Sequence, residues 1–240
     1  MSLAVHPTDN KVLFASGHPP RGGNLGLIES RDGGQTWQQV YQGGDRAVDF
    51  HALTVSPADP KLMYGQFDTI RASTDGGRTW TKHPRVPGNV YSLAASAWDP
   101  NIVYAATQAG LLLSDDGGRR WQTLSERPNP ATMVYATAGG TLYAFVMGQG
   151  LLQAQEGNAT WQVVYNQFGE QVLLQFAVDP NELWRLYALN QFGRLLAGNV
   201  TDCAASAKPT ATRRFTSSDT CVRRPSTIPC TPGTIRTTIW

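Results

Sequence analysis

The chain's 240 residues carry 20 Lys and Arg against 18 Asp and Glu, a net charge of +2, so no bulk charge draws it to nucleic acid or to an anionic membrane. No run of 18 apolar residues occurs, which excludes a transmembrane helix. The 24 glycines and 15 prolines, with 41% hydrophobic residues, point to one core built from many short strands and tight turns.

In chain order the first strand-like run is Leu3-Ala4-Val5-His6-Pro7, followed by apolar runs at Val12–Ser16 and Leu25–Glu29. The segment Ser30-Arg31-Asp32-Gly33-Gly34-Gln35-Thr36-Trp37 comes next. The same order returns: Ala52–Pro57, Leu62–Gln66 and Ile70–Ser73 lead to Ser73-Thr74-Asp75-Gly76-Gly77-Arg78-Thr79-Trp80. A third unit runs through Leu93–Ser96, Ile102–Thr107 and Leu111–Ser114 to Ser114-Asp115-Asp116-Gly117-Gly118-Arg119-Arg120-Trp121. In the fourth, Leu142–Val146 and Leu151–Ala154 precede a worn copy, Ala154-Gln155-Glu156-Gly157-Asn158-Ala159-Thr160-Trp161. Phe176–Pro180, Leu186–Leu189 and Arg194–Ala197 begin a fifth unit that has no such motif. The tryptophans stand 43, 41 and 40 residues apart, a period that identifies a structural repeat.

Four short strands in about 40 residues make one propeller blade, here with strands A to D running outward from the axis. The expected fold is therefore all-β, a β-propeller with four full blades at about 1–43, 44–85, 86–126 and 127–166 and an incomplete fifth at 167–198. At each C–D turn the Asp carboxylate can accept backbone N–H bonds, the glycines supply positive φ, and Trp fills space against a neighbouring strand or blade. Ser30, Asp32, Gly34, Thr36 and Trp37, with Ser73, Asp75, Gly77, Thr79, Trp80, Ser114, Asp116, Gly118, Trp121 and Trp161, are read as this structural device. Catalytic acids or calcium ligands at Asp32, Asp75 and Asp116 are the weaker reading, because repeated motifs usually serve the repeat.

Residues 199–240 change character. Of the last 40 residues 14 are Ser or Thr, and all three cysteines (Cys203, Cys221, Cys230) lie there at spacings that match no zinc pattern. A disordered tail and a frameshifted translation are both open for this stretch. With no signal peptide visible before a strand-like start, the chain reads as a fragment of a larger ring.

Strand order puts the B–C and D–A loops on one face around the channel and every Asp-containing turn on the other. The channel face holds His18, Arg21, Arg46, Asp49, His51, Gln66, Asp68, Tyr91, Gln108, Tyr135, Gln149, Glu170 and Asn190. Within it His18, Arg21, Asp49, His51 and Tyr91 are the candidate ligand-binding set. Asp49 and His51 lie two apart in an incipient strand, which points both side chains to one side, and His18 can approach across the seam. Two imidazoles and a carboxylate suit Zn²⁺ or another divalent metal. The plainer alternative makes His18-Pro19-Pro20 a turn and His51 a hydrogen-bonded channel residue. His6 and His83 each precede a proline in turn-like contexts and need no special role.

The repeated Asp–Gly–Gly–Thr–Trp signature resembles the BNR/Asp-box propeller superfamily, which includes sialidases, some endoglucanases, sortilin-type receptors and photosystem assembly factors. Ser16-Gly17-His18-Pro19, Leu25–Ser30 and Asp49–Leu53 are similar to bacterial propellers labelled sialidase-like or glycosyl hydrolases. The resemblance implies export from the cytoplasm and two functional classes. One is a non-catalytic binding or scaffold module that holds a protein, glycan or small ligand on the channel face. The alternative is a glycoside hydrolase, for which Asp49, Asp68 and Glu170 are the available carboxylates. The sialidase version is poorly matched, since the Arg-Ile-Pro signature is absent and only Arg21 and Arg46 sit on the correct face.

Overall fold

The computed structural model describes residues 2–124 and 129–200, together with two short strands at 215–216 and 236–237. Among the described residues every regular element is a strand, and no helix is long and apolar enough to cross a membrane. Blade 1 is β1 (Ser2–Val5), β2 (Leu13–Ser16), β3 (Leu27–Ser30) and β4 (Gln38–Tyr41). Blade 2 is β5 (Ala52–Val55), β6 (Met63–Gln66), β7 (Ile70–Ser73) and β8 (Thr81–Lys82). Blade 3 is β9 (Val90–Ala95), β10 (Val103–Thr107), β11 (Gly110–Ser114) and β12 (Gln122–Thr123). Blade 4 is β13 (Ala131–Ala136), β14 (Thr141–Val146), β15 (Gly150–Gln155) and β16 (Asn158–Tyr165). Each sheet is an antiparallel meander in sequence order.

Blade 5 has three long strands, β17 (Leu173–Val178), β18 (Arg185–Asn190) and β19 (Leu195–Val200). Two-residue strands, β20 (Phe215–Thr216) and β21 (Arg236–Thr237), pair with opposite ends of β19. The remainder of the 199–240 tail lies outside the described residues. The five sheets form a five-bladed β-propeller arrangement.

A small twisted sheet has two apolar faces and no core of its own, so each blade buries its faces against its neighbours. Four clusters fill the four seams. Phe14, Leu27, Phe50 and Met63 lie between blades 1 and 2, and Tyr64, Ile70, Leu93 and Val103 between blades 2 and 3. Tyr104, Val134, Leu142 and Leu152 fill the third seam, and Phe145, Leu151, Phe176 and Leu186 the fourth. Inner-strand hydroxyls stitch the same seams: Ser2 Oγ donates to Phe50 O, Ser92 Oγ to Val134 O and Thr132 Oγ1 to Leu173 O.

The outer turns explain the repeated motif. Asp32 Oδ1 accepts the backbone N–H groups of Gln35 and Thr36, each at 2.9 Å, and Oδ2 accepts the Thr36 hydroxyl at 2.6 Å. Ser30 Oγ donates to the same carboxylate and accepts the N–H of Gly34. Asp75 repeats these contacts with Arg78 and Thr79. Asp116 repeats them with Arg119 and Arg120, where the Arg120 guanidinium takes the place of the Thr hydroxyl. The paired glycines adopt positive φ, 72° and 86° at Gly76 and Gly77. A β-carbon on Gly77 would fall 2.4 Å from the Leu27 side chain of the preceding blade, so this position also sets how closely blades approach.

Trp37, Trp80 and Trp121 each donate the indole N–H to the second glycine's carbonyl. Trp80 lies 4.5 Å from the ring of Phe50, while Trp121 and Trp161 join the second and third seams. Trp37, in blade 1, is exposed.

The fourth copy works differently. With Ala154 in place of serine and Asn158 in place of the second glycine, the turn tightens and β16 lengthens to eight residues. Glu156 is buried and leaves its own turn. It accepts the Ser96 hydroxyl and, at 3.1 Å, the Ala97 N–H of blade 3. A local cap has become a clamp between blades.

Two outcomes follow. The Thr36 hydrogen bonds, with those of Ser30 and Gln35, hold the Asp32 carboxyl down at about 2. At Asp75 partial burial works upward, and the bonds from Thr79, Ser73 and Arg78 override it to bring the carboxyl to about 2. A depressed folded-state value stabilises above the unfolded carboxylate range and is lost as pH falls from about 4 to about 2. Thermal melts should therefore show wild type losing more Tm than Asp75→Asn across that window, and Asp75→Ala lowering Tm at pH 7 by about 2–4 °C. Glu156→Ala leaves the Ser96 and Ala97 donors without their acceptor and should cost about 2 kcal/mol in urea unfolding, with Glu156→Gln milder.

Candidate functional site

The loops joining second to third strands, and those joining one blade to the next, meet at the end of the propeller opposite the Asp–Gly–Gly turns. Two side-chain groups stand there on blades 1 and 2.

In the first, fully buried Val48 and Phe50 pin the chain ahead of β5 and carry Asp49 inward between them. Asp49 Oδ2 lies 2.8 Å from His18 Nδ1, which comes from the long β2–β3 loop. Nδ1 therefore donates to the carboxylate, and Nε2 remains on an imidazole whose side chain is 60% exposed. Asp49 Oδ1 is buried without a protein partner among the described residues.

The second group surrounds Asp68 in the β6–β7 hairpin. Arg71 Nη2 and Nε lie 2.9 and 3.3 Å from Oδ1, Lys82 Nζ lies 3.3 Å from Oδ2, and Arg46 stands 3.9 Å away. The Arg46 guanidinium also covers the Phe67 ring at 4.7 Å and Arg71 approaches it at 5.5 Å. Burial works to raise the Asp68 carboxyl, but the Arg71 hydrogen bonds and charge, with Lys82, bring it down to about 2. Three cations thus share one carboxylate, and the two outer ones, Arg46 and Lys82, are mostly exposed.

The predicted residues divide. His18 and Asp49 are brought together, but His51 is exposed and linked to blade 2 through its backbone N–H to Gln66 O at 2.8 Å. Asp49 is buried and His51 exposed, and both precede β5, where strand alternation does not yet apply. Among the described residues no three His, Cys, Asp or Glu side chains are placed to hold a metal ion, so the His18–Asp49–His51 centre is not assembled. Arg21 is exposed in the first loop and Tyr91 is exposed on β9.

Several polar candidates serve the fold instead. Tyr135 packs edge-on against Phe176 in the fourth seam. Buried Asn190 accepts the N–H groups of Phe192 and Arg194 and caps the β18–β19 turn. Gln66 is bonded to Phe67 O, and Gln108 accepts from Asn89. Gln149 donates its backbone N–H to Val146 O in the β14–β15 turn. The three carboxylates proposed for hydrolysis sit on separate elements: Asp49 is engaged by His18, Asp68 by its cations, and Glu170 is exposed ahead of β17. His83 is buried against the third Asp–Gly–Gly turn, where burial, with Arg119 beside it, pushes its imidazole below the ordinary value.

Sequence reasoning missed Phe67, Arg71 and Lys82. A signal existed: Arg71 occupies the β7 position held by Ile28, Leu112 and Leu152 in the other blades. A buried charge at a repeat's aliphatic position marks a departure from the scaffold.

Four-stranded blades wound in series and pinned by a recurring Asp–Gly–Gly–Trp turn define a BNR-type β-propeller. The chain belongs to the photosynthesis system II assembly factor YCF48 family, whose pattern it matches over residues 19–230. It is 25% identical over 177 residues to the photosystem II assembly lipoprotein Ycf48 of Synechococcus sp., covering 68% of this chain and 50% of that protein. It is 27% identical over 154 residues to a probable oligoxyloglucan-reducing end-specific xyloglucanase of Neosartorya fischeri, covering 56% of this chain and 19% of the relative. The chain thus spans between a fifth and a half of these relatives' lengths. A solved YCF48 bound to a D1 peptide shares the fold, with a TM-score of 0.53, 19% identity, and coverage of 82% of this chain and 63% of that one.

Arg71→Leu restores the residue type of the other blades and should leave the fold intact. The Asp68 carboxyl should then titrate nearer the ordinary carboxylate range, a rise visible in a side-chain carboxyl NMR titration.

Proposed function

We propose that the chain is a non-catalytic binding module that takes an extended acidic polypeptide segment on the loop face of blades 1 and 2. The observation that carries this reading is the convergence of Arg46, Arg71 and Lys82 on Asp68 beside the Phe67 ring. One carboxylate faces three cations, which leaves local positive charge and an exposed guanidinium suited to a bidentate carboxylate contact. His18, with Nδ1 fixed by Asp49, adds a hydrogen-bonding group from the adjoining blade. Membership of the YCF48 family and the relative solved with a peptide favour a polypeptide over a glycan or small ligand. The lipoprotein relative supports a location outside the cytoplasm.

Calorimetric titration of an Asp/Glu-rich peptide and its uncharged Asn/Gln counterpart tests this. The acidic peptide should bind, weaken as salt rises, and bind about tenfold or more weakly to Arg46→Ala/Lys82→Ala. Equal affinity for both peptides, or for the double variant, contradicts the proposal.

Glycoside hydrolysis is the second reading, favoured by the xyloglucanase relative. It needs one carboxyl held protonated as a general acid, whereas the cations keep Asp68 ionised. Turnover of xyloglucan oligosaccharides or chromogenic glycosides that is lost in Asp49→Asn or Glu170→Gln would establish it and displace the binding reading.

A further inference from the structure

Opposite Leu27, Leu111 and Leu151 on the third strands of blades 1, 3 and 4 stand Tyr41, Leu124 and Tyr165. Each packs against the seam to the next blade. In blade 2 the residue at this position is His83, whose backbone N–H bonds to Ile70 O at 2.8 Å. Its side chain is buried in the second seam against the Asp–Gly–Gly turn of blade 3, where a β-carbon on Gly118 would stand 3.3 Å from Nδ1. Nδ1 is buried with no hydrogen-bond partner among the described residues. A titratable ring thus replaces an apolar side chain at a repeat position.

The groups facing this ring include no uncommitted carboxylate among the described residues. The blade 3 turn presents Arg119, tethered through Nη1 to Asp116 O at 2.7 Å. The Asp116 carboxylate is already taken up by Arg120 Nε, the Ser114 hydroxyl and two backbone N–H groups. Tyr64 of β6 stands beside Gly117, with its hydroxyl bonded to Pro100 O. On the ring's own segment Lys82 pairs with Asp68 and Arg85 is exposed. Burial and Arg119 disfavour a charged imidazole, and the backbone at Gly117 and Gly118, with Asp116, offsets them only in part. A proton on His83 therefore adds a second cation beside Arg119 inside an apolar seam.

We infer that His83 is a pH-sensitive latch on the second seam: its protonation parts the third Asp–Gly–Gly turn from the outer edge of blade 2 and loosens Lys82 over Asp68. Folding holds the imidazole below its ordinary value of 6.5, so the seam keeps its full strength above that value and loses it as pH falls. Lys82 immediately precedes His83 in the outermost strand of its blade, which is only two residues long, so the latch governs one of the cations gathered at Asp68. The latch stands apart from the peptide reading; only its consequence for binding rests on that reading.

Hydrogen exchange read by mass spectrometry on the intact chain tests the latch at about pH 7.5 and about pH 5.5, on either side of the ordinary histidine value. Wild type and His83→Leu are compared at the same pH, so that intrinsic chemical rates cancel. Leucine is the residue of blade 3 at this position, and His83→Tyr, the residue type of blades 1 and 4, serves if the first variant folds poorly. At the lower pH wild type should exchange about threefold or more faster than the variant in β7, β8 and the turn at 114–121, while blade 4 matches. At the higher pH the two proteins should agree throughout. Equal exchange at the lower pH, slower exchange in wild type, or protection lost evenly across all blades would overturn the latch. Calorimetry with the Asp/Glu-rich peptide reads the consequence: wild type should bind more weakly at the lower pH, and the variant should not. Wild-type binding that is equal at both values overturns the loosening of Lys82. A peptide that binds neither protein overturns the peptide reading, while exchange still decides the latch.

Discussion

A single four-stranded blade has two faces to bury and nothing of its own to put between them. The rest of this structure depends on that constraint. Every blade is stable only by virtue of the next, so the chain must repeat the same solution at each seam, and the sequence repeats accordingly. Each fully buried Leu, Phe or Met adds about 1.5–3 kcal/mol of apolar transfer, and the inner-strand hydroxyls add direction to a contact that is otherwise non-directional. The Asp–Gly–Gly turn is subordinate to this. It closes the outer hairpin and, through its second glycine and its tryptophan, sets the spacing to the preceding blade.

The periodic features were legible because they arise from local chemistry. An Asp three to four residues ahead of the N–H groups it accepts, with two glycines between, has little choice of conformation, and the tryptophans fixed the period. Features formed by residues distant in sequence were not legible. Nothing near Glu156 shows that its carboxylate crosses to Ser96 and Ala97, and nothing near Asp68 shows that Lys82 and Arg46 reach it. Asp49 is buried and His51 exposed, since both lie ahead of β5, where strand alternation does not yet apply. Tyr135 and Asn190 had the right polarity for a ligand face, but one is packed in a seam and the other caps a turn.

The same logic separates scaffold from site. Where a repeat position keeps its residue type, the residue serves the seam or the turn. Where it departs, as at Arg71 and Glu156, the departure marks something specific to one blade: a charged cluster or a clamp. His18 and Asp49 lie in the long loop and the linker peculiar to blade 1; the chain order put both on one face with His18 able to approach, and the structure sets them 2.8 Å apart.

Amide hydrogen exchange tests most directly the claim that stability resides in the seams. Inner strands with a blade on both sides, β5, β9 and β13, should exchange slowest, and β1 and the strands of blade 5 fastest. Uniform protection across all five blades, or protection greatest in β1, would contradict the account.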